Sequence, residues 1–186
     1  GLFIFTMHLF NESIVLYRIR KGDTECFAEV FDRYHEKIYR FVYLKLPRQQ
    51  DAEDIAAEVF LKAWEYLRQG RRVTSLQAFL YQIARNLVVD FYRRSGTPTE
   101  SLEESEIVIA DRSDLTLEEK MALKEDMARV EGALRKIKDV YREVIVLHYI
   151  NELSLVETAR AIEKSPGATR VLLHRGVKTL KKILAT

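Results

Sequence analysis

The segment from Thr74 to Arg94, T-S-L-Q-A-F-L-Y-Q-I-A-R-N-L-V-V-D-F-Y-R-R, carries aromatic and cationic side chains at spacings suited to capturing unpaired bases. At about 100° per residue, Tyr81, Arg85 and Tyr92 share one helical face, flanked by Gln82, Asn86 and Arg93. Leu76, Phe79, Leu80, Ile83, Leu87 and Phe91 form an apolar stripe opposite. Aromatic planes stack on bases at about 1–3 kcal/mol each, and neighbouring cations follow the phosphates. The expectation is one stripe buried and the other available. Tyrosines at this spacing also suit packing beneath a second helix with their hydroxyls outward, and the helix alone does not choose.

A second basic surface is expected near the C-terminus. Ser154-Leu-Val-Glu157 reads as a capping box opening a short helix whose Leu155, Ala159 and Ile162 point inward. Ser165 and Pro166 then supply an N-cap and a favoured first helical residue. On the helix that follows, Thr169, Leu173, Val177, Leu180 and Leu184 make the buried face. Ala168, Val171, Arg175, Lys178 and Lys182 lie opposite, with Arg170, His174 and Lys181 alongside. Two helices joined so tightly, the second basic along its length, read as a helix-turn-helix whose second member enters a major groove. An ordinary helical hairpin with a solvated basic face has the same pattern.

The run D-A-E-D-I-A-A-E-V-F-L-K-A-W-E-Y-L, Asp51 to Leu67, has the opposite electrostatics. Ile55, Val59, Ala63 and Tyr66 are its expected buried side, while Asp54, Glu58, Leu61 and Glu65 form a ladder elsewhere on the helix. Like charges four apart cost a helix a few tenths of a kcal/mol, and an apolar Leu61 among them gains nothing from water. Such a stripe suits docking on a basic protein helix and would repel DNA. A merely solvated acidic face is the competing account.

These segments need a helical scaffold, and the composition supplies one. The chain has 186 residues, 47% apolar and 31% charged, with 7 Gly and 3 Pro, too few turn formers for many short strands. Apolar residues recur at helical spacing from Asp23 to Arg94, broken near Pro47 to Gln50 and near Gln69 to Val73, which gives three or four helices. Thr74 and Gln77 read as a capping box for the last of them, and Thr116 with Glu119 as another further on. The fold class expected is all-α: residues 1–94 as one helical domain, an acidic flexible linker over 95–116, and a helix-turn-helix domain over 117–186. Net charge is +2, but the distribution is uneven. Lys+Arg against Asp+Glu runs 15 to 12 over residues 1–94, 4 to 11 over 95–131 and 11 to 5 over 132–186. Two basic ends around an acidic middle suit a protein that touches one polyanion twice.

Taken together these residues resemble the small two-domain extracytoplasmic-function sigma factors of bacterial RNA polymerase. The likeness rests on Asp51 to Trp64, on Leu80 to Arg94 with its I-A-R-N core, and on the terminal L-S-L-V-E-T-A-R-A-I and L-H-R-G-V-K-T-L-K. It covers about Asp23 to Arg94 and Leu134 to Leu184. The resemblance implies a transcription-initiation subunit that binds core RNA polymerase and promoter DNA. By that likeness Asp51, Asp54, Glu58, Leu61 and Glu65 would dock on the clamp helices of the largest polymerase subunit, and the terminal domain on the flap of the second. Arg71, Arg72, Tyr81, Arg85, Asn86, Tyr92, Arg93 and Arg94 would recognise and hold open the −10 element. Ser165, Ala168, Arg170, Val171, His174, Arg175 and Lys178 would read the −35 element as duplex. An anti-sigma protein would control the chain. Phe79 stands where the family commonly has tryptophan, Glu163 and Lys164 where it has glycine and an aliphatic residue, and Pro166 and Leu172 where acidic and basic residues are frequent. A non-glycine residue in the left-handed conformation at that turn costs about 1 kcal/mol.

No enzyme is expected. His8, His35, His148 and His174 are scattered without metal-ligand spacing, and no phosphate-cradling glycine loop occurs, so neither cofactor nor metal is anticipated. The lone Cys26 excludes an internal disulfide and fits a reducing, cytoplasmic setting. The apolar stretch over residues 1–10 is too short to span a bilayer and lacks the flank of a secretory signal, so no membrane partner is expected. The alternative from another class is a stand-alone helix-turn-helix regulator of transcription, for which the acidic ladder would have no use.

Overall fold

The structure, a computed structural model, describes residues 11–96 and 117–185, and every regular element among them is helical. The acidic linker expected from 95 lies, from residue 97 to 116, outside the described residues, as does the Thr116 cap. Four helices form the N-terminal group: α1 (Glu12–Arg20), α2 (Thr24–Tyr43), α3 (Gln49–Arg68) and α4 (Leu76–Ser95). Four more follow: α5 (Leu117–Lys136), α6 (Asp139–Ile145), α7 (Leu155–Ala161) and α8 (Pro166–Leu184). A π-helical turn over Val146–Ile150 prolongs α6.

Local chemistry explains most of the helix ends. The Asn11 side chain accepts from Ser13 and Ile14 N–H to start α1, and Asp23 accepts from Cys26 N–H at 2.9 Å to start α2. That bond, with Arg18 Nε donating to the other Asp23 oxygen at 2.8 Å, holds the Asp23 carboxyl below its ordinary range. The α4 cap departs from expectation by one residue. Ser75, not Thr74, is the N-cap and accepts from Ala78 N–H, while the Glu12 carboxylate of α1 takes the Leu76 N–H. A carboxylate at a helix N-terminus also meets the positive end of the dipole. It ties α1 across the start of α4, where the expected Thr74 and Gln77 box does not cap the helix.

One apolar cluster threads the N-terminal helices, with Ile19, Val30, Ile38, Phe41, Ala56, Val59, Ala63, Leu67, Leu76 and Leu80 within it, and continues into the C-terminal group through Leu134, Val144, Leu147 and Leu153. Cys26 is a core residue, its thiol pushed up by burial. In the C-terminal group α8 lies against α6 so closely that a Cβ on Gly176 would stand 3.2 Å from Ile145 and Tyr141 side-chain atoms. Glu163 adopts the left-handed conformation, φ 55°, in the turn between α7 and α8. The Ser154 capping box forms with both bonds, 2.9 and 3.2 Å, and Ser165 caps α8 with Pro166 as its first residue.

Candidate nucleic-acid and polymerase interfaces

The surfaces anticipated from the sequence can be traced outward from the helices that carry them. On α3, the apolar side chains Ile55, Val59 and Ala63 enter the core and Tyr66 is half-buried. Asp54, Glu58 and Glu65 are exposed, and Leu61 among them leaves 64% of its surface in water. Glu58 has Lys62 at 3.5 Å, whereas Asp51 is gripped by Arg48 through two bonds of 2.8 Å and is half-buried. Beside the ladder lies an apolar groove of about 410 Å³ between α2 and α3, lined by Phe27, Phe31, Ala57, Phe60, Leu61 and Trp64. Its rings pack on one another, Phe27 with Trp64 at 5.1 Å and Phe31 with Phe60 at 4.8 Å. The groove was not legible from either helix alone, although Phe27, Phe31 and His35 repeat four apart on α2. An apolar cleft flanked by carboxylates can accept a helix bearing leucine-like and cationic residues together.

The loop between α3 and α4 turns at Gly70, φ 75°. Arg71 and Arg72 are exposed, with the Arg71 guanidinium 5.1 Å from the Tyr66 ring centre. A cleft of about 320 Å³ opens here, lined by Tyr66, Arg72, Thr74, Phe79, Gln82 and, from the C-terminal group, Arg160. Asn86, Arg93 and Arg94 are exposed along α4.

The stacking face itself requires a correction. Leu76, Leu80 and Leu87 are buried as expected, with Phe79, Ile83 and Phe91 half-buried, but Tyr81 is fully buried as well. Its ring meets Phe41 edge-on at 5.3 Å, and its hydroxyl faces Gln77 and Asn151 without closing a bond to either. Burial pushes this phenol far up. Arg85, 24% exposed, donates from Nε to Glu143 at 2.9 Å, and the Tyr92 hydroxyl donates to the Lys45 carbonyl at 2.5 Å. The physical reason is that α4 is packed from two sides, by α2 and α3 and again by the α7 end of the C-terminal group, so a second stripe is covered. In this arrangement the three side chains are not available to bases.

On α8 the expected division is present. Thr169 and Leu173 are buried, Val177, Leu180 and Leu184 half-buried, and Thr169 donates to the Ser165 carbonyl at 2.9 Å. Ser165, Ala168, Arg170, Val171, His174, Arg175 and Lys178 are all exposed, on and beside one face whose start is narrowed by Gly167 and Ala168. A helix presenting small residues first and cations after them can seat its N-terminal end in a major groove. Among the described residues no cluster of His, Cys, Asp or Glu could hold a metal, and no helix is long and apolar enough to cross a membrane.

Comparison with known proteins places these surfaces in a family context. Residues 30–97 match the sigma-70 region 2 family and residues 127–180 match sigma-70 region 4. The chain is 32% identical over 176 residues to the ECF RNA polymerase sigma factor SigW of Bacillus subtilis, covering 90% of this chain and 93% of that protein. It is 31% identical over 169 residues to the ECF RNA polymerase sigma factor SigD of Mycobacterium tuberculosis, covering 86% and 77%. In three dimensions it superposes on CnrH, solved in complex with the cytosolic domain of CnrY, with a TM-score of 0.68 at 22% identity, covering 92% and 96% of the two chains. A second likeness of fold is to the sigma factor RpoE of Bartonella quintana, solved with the anti-sigma factor NepR, with a TM-score of 0.67 at 19% identity, covering 86% and 97%.

Proposed function

Since the chain belongs to the extracytoplasmic-function sigma factors and so directs RNA polymerase to promoters, we propose how its three surfaces divide that work. The acidic ladder of Asp54, Glu58, Leu61 and Glu65, together with the groove beside it, docks on the clamp helices of the largest polymerase subunit. Asp51 orients Arg48 at the edge of that face rather than reaching outward. The terminal domain sits on the flap of the second subunit. Arg71, Arg72, Asn86, Arg93 and Arg94 approach the −10 element, and Tyr81, Arg85 and Tyr92 join them once their present contacts are released. The α8 face of Ser165, Ala168, Arg170, Val171, His174, Arg175 and Lys178 reads the −35 element as duplex. An anti-sigma protein is a further partner, and the setting is the cytoplasm, where polymerase is. Sigma factors act by binding, not by catalysis.

The observation that carries this division is the separation of charge on the surface. Carboxylates around an exposed leucine occupy α3, and cations occupy the α3–α4 loop and α8. One face suits a protein and repels DNA; the other two suit DNA. Energetics add the need for a partner. Each opened base-pair step forfeits roughly 1.4 kcal/mol, which two tyrosines and an arginine at about 1–3 kcal/mol per captured base barely offset. Run-off transcription with purified core polymerase tests the division. The chain confers specific initiation, the Asp54→Lys/Glu58→Lys variant loses it and co-purification with polymerase together, and helix content is unchanged. Initiation by that variant at the unsubstituted level would overturn the docking assignment.

A further inference from the structure

The match to sigma-70 region 2 begins at residue 30, so α1 and the turn into α2 lie outside it. That turn is nevertheless bonded to the loop assigned above to the −10 element. Arg68, the last residue of α3, donates from Nη1 to the Arg20 carbonyl at 3.2 Å, and its guanidinium stands 5.8 Å from the Trp64 ring centre. Arg20, the last residue of α1, donates in turn from Nη2 to the Arg71 carbonyl at 3.5 Å. A guanidinium carries five donors in a planar fork, so one such group can hold a carbonyl and a ring face together. Gly22 makes room for Arg68. Its φ of 90° is open to glycine, and a Cβ there would stand 2.6 Å from Arg68 Nη1.

This linkage does little for the stability of the fold. Arg20 Nε is buried without a partner among the described residues, which carries a desolvation cost, and the bond to the Arg71 carbonyl is long. Arg20, Arg68 and Arg71 meet carbonyls and rings, and among the described residues none of them pairs with a carboxylate. Cations gathered in this way repel one another. What the linkage supplies is direction. The Arg71 carbonyl is held by Arg20 while the Arg71 guanidinium lies over the Tyr66 ring, and Arg72 follows at the mouth of the cleft that Tyr66 also lines.

We propose that Arg20 and Arg68 are positioning residues for promoter reading: they touch no base, and they hold the Arg71–Arg72 loop where it discriminates among bases of the −10 element. The inference rests on the assignment of that loop to the −10 element. Phosphate contacts hold DNA whatever its sequence, whereas discrimination requires the reading groups to be fixed in place by their neighbours. Loss of a positioning residue therefore lowers discrimination, and loss of a phosphate contact weakens every sequence alike.

Fluorescence anisotropy of the holoenzyme separates the two effects. The probes are single strands carrying the −10 element of a promoter it transcribes, and the same strands with one base changed. Arg20→Met lowers the preference for the unchanged probe by about fivefold, the lower end of what one specific base contact supplies. Affinity for core polymerase stays within about twofold, and the slope of probe affinity against salt is unaltered. Gly22→Ala keeps every cation but pushes the Arg68 guanidinium aside, and it gives the same loss of preference at unchanged helix content by circular dichroism. Should that variant fail to fold, Arg68→Met removes the same bond without altering the turn. By contrast, Arg72→Ala weakens all probes alike and lowers the salt slope by about one. Full preference in Arg20→Met would overturn the proposal. So would uniform weakening with a lower salt slope in that variant, which would make Arg20 a phosphate contact. If Arg72→Ala affects no probe, the −10 assignment itself fails and the positioning role falls with it; if Arg72→Ala acts and Arg20→Met does not, only the positioning role is lost.

Discussion

Leu61→Ala is the most informative single change on the surface proposed to dock on polymerase. Leu61 leaves 64% of its area in water, between carboxylates and at the rim of the groove formed with Phe27, Phe31 and Trp64. The substitution removes three carbons, worth about 0.8 kcal/mol each when fully transferred from water. Scaled to the exposed share that a partner could still bury, the loss is about 1.5 kcal/mol, close to tenfold in affinity. The folded chain makes little use of that area, so stability moves by no more than about 0.5 kcal/mol, as for exposed positions generally. Fluorescence titration of labelled chain with core polymerase gives the affinity, and thermal unfolding gives the control. An affinity within about twofold of the original, measured where tenfold is expected, would refute docking at this face. A fall of many degrees in Tm would instead show that Leu61 supports the core.

Two further outcomes follow from the geometry. Tyr81→Ala empties a fully buried site against Phe41 and costs about 3–5 kcal/mol, whereas Tyr81→Phe removes only a buried hydroxyl without a partner and stays within about 1 kcal/mol; urea unfolding separates them, and equal losses would contradict the burial. The Asp23 carboxyl is held low by the Cys26 N–H first and then by Arg18. A group whose folded value is depressed contributes stability above its unfolded value near 3.9 and loses it as pH falls through the folded value. Asp23→Asn keeps an N-cap and removes the charge, so urea midpoints compared from pH 6 downward, about the range where carboxyls titrate, show less acid destabilisation for the variant. An unaltered acid slope would count against this role.

How far the sequence led can be judged from particular helices. The face of α8 was legible because a cap, a first-turn proline and a steady 3.6-residue period coincide, and Thr169 and Leu173 are buried while Arg170, Arg175 and Lys178 are exposed. The strained turn at Glu163 was legible only through the family resemblance, in which glycine usually holds that position. Tyr81 was misplaced for a complementary reason. Periodicity identifies one buried stripe of a helix, but α4 is covered on two sides, and the second cover comes from residues far along the chain. Lys45 and Glu143 are 98 positions apart and carry opposite charges, and no local pattern joins them. The aromatic groove between α2 and α3 likewise exists only once two helices are set side by side. The Ser75 cap was missed by one residue because Thr74 and Ser75 are both capping residues, and the Glu12 carboxylate that takes the Leu76 N–H belongs to another helix.

The central claim is that this chain delivers its base-gripping face to promoter DNA only in partnership with polymerase. Permanganate reactivity of thymines across the −10 element of a promoter the holoenzyme transcribes measures that directly. The account predicts reactive thymines when chain and core polymerase are present together and none with either alone. Reactivity produced by the chain without polymerase would contradict it, as would a transcribing holoenzyme in which those thymines stay protected.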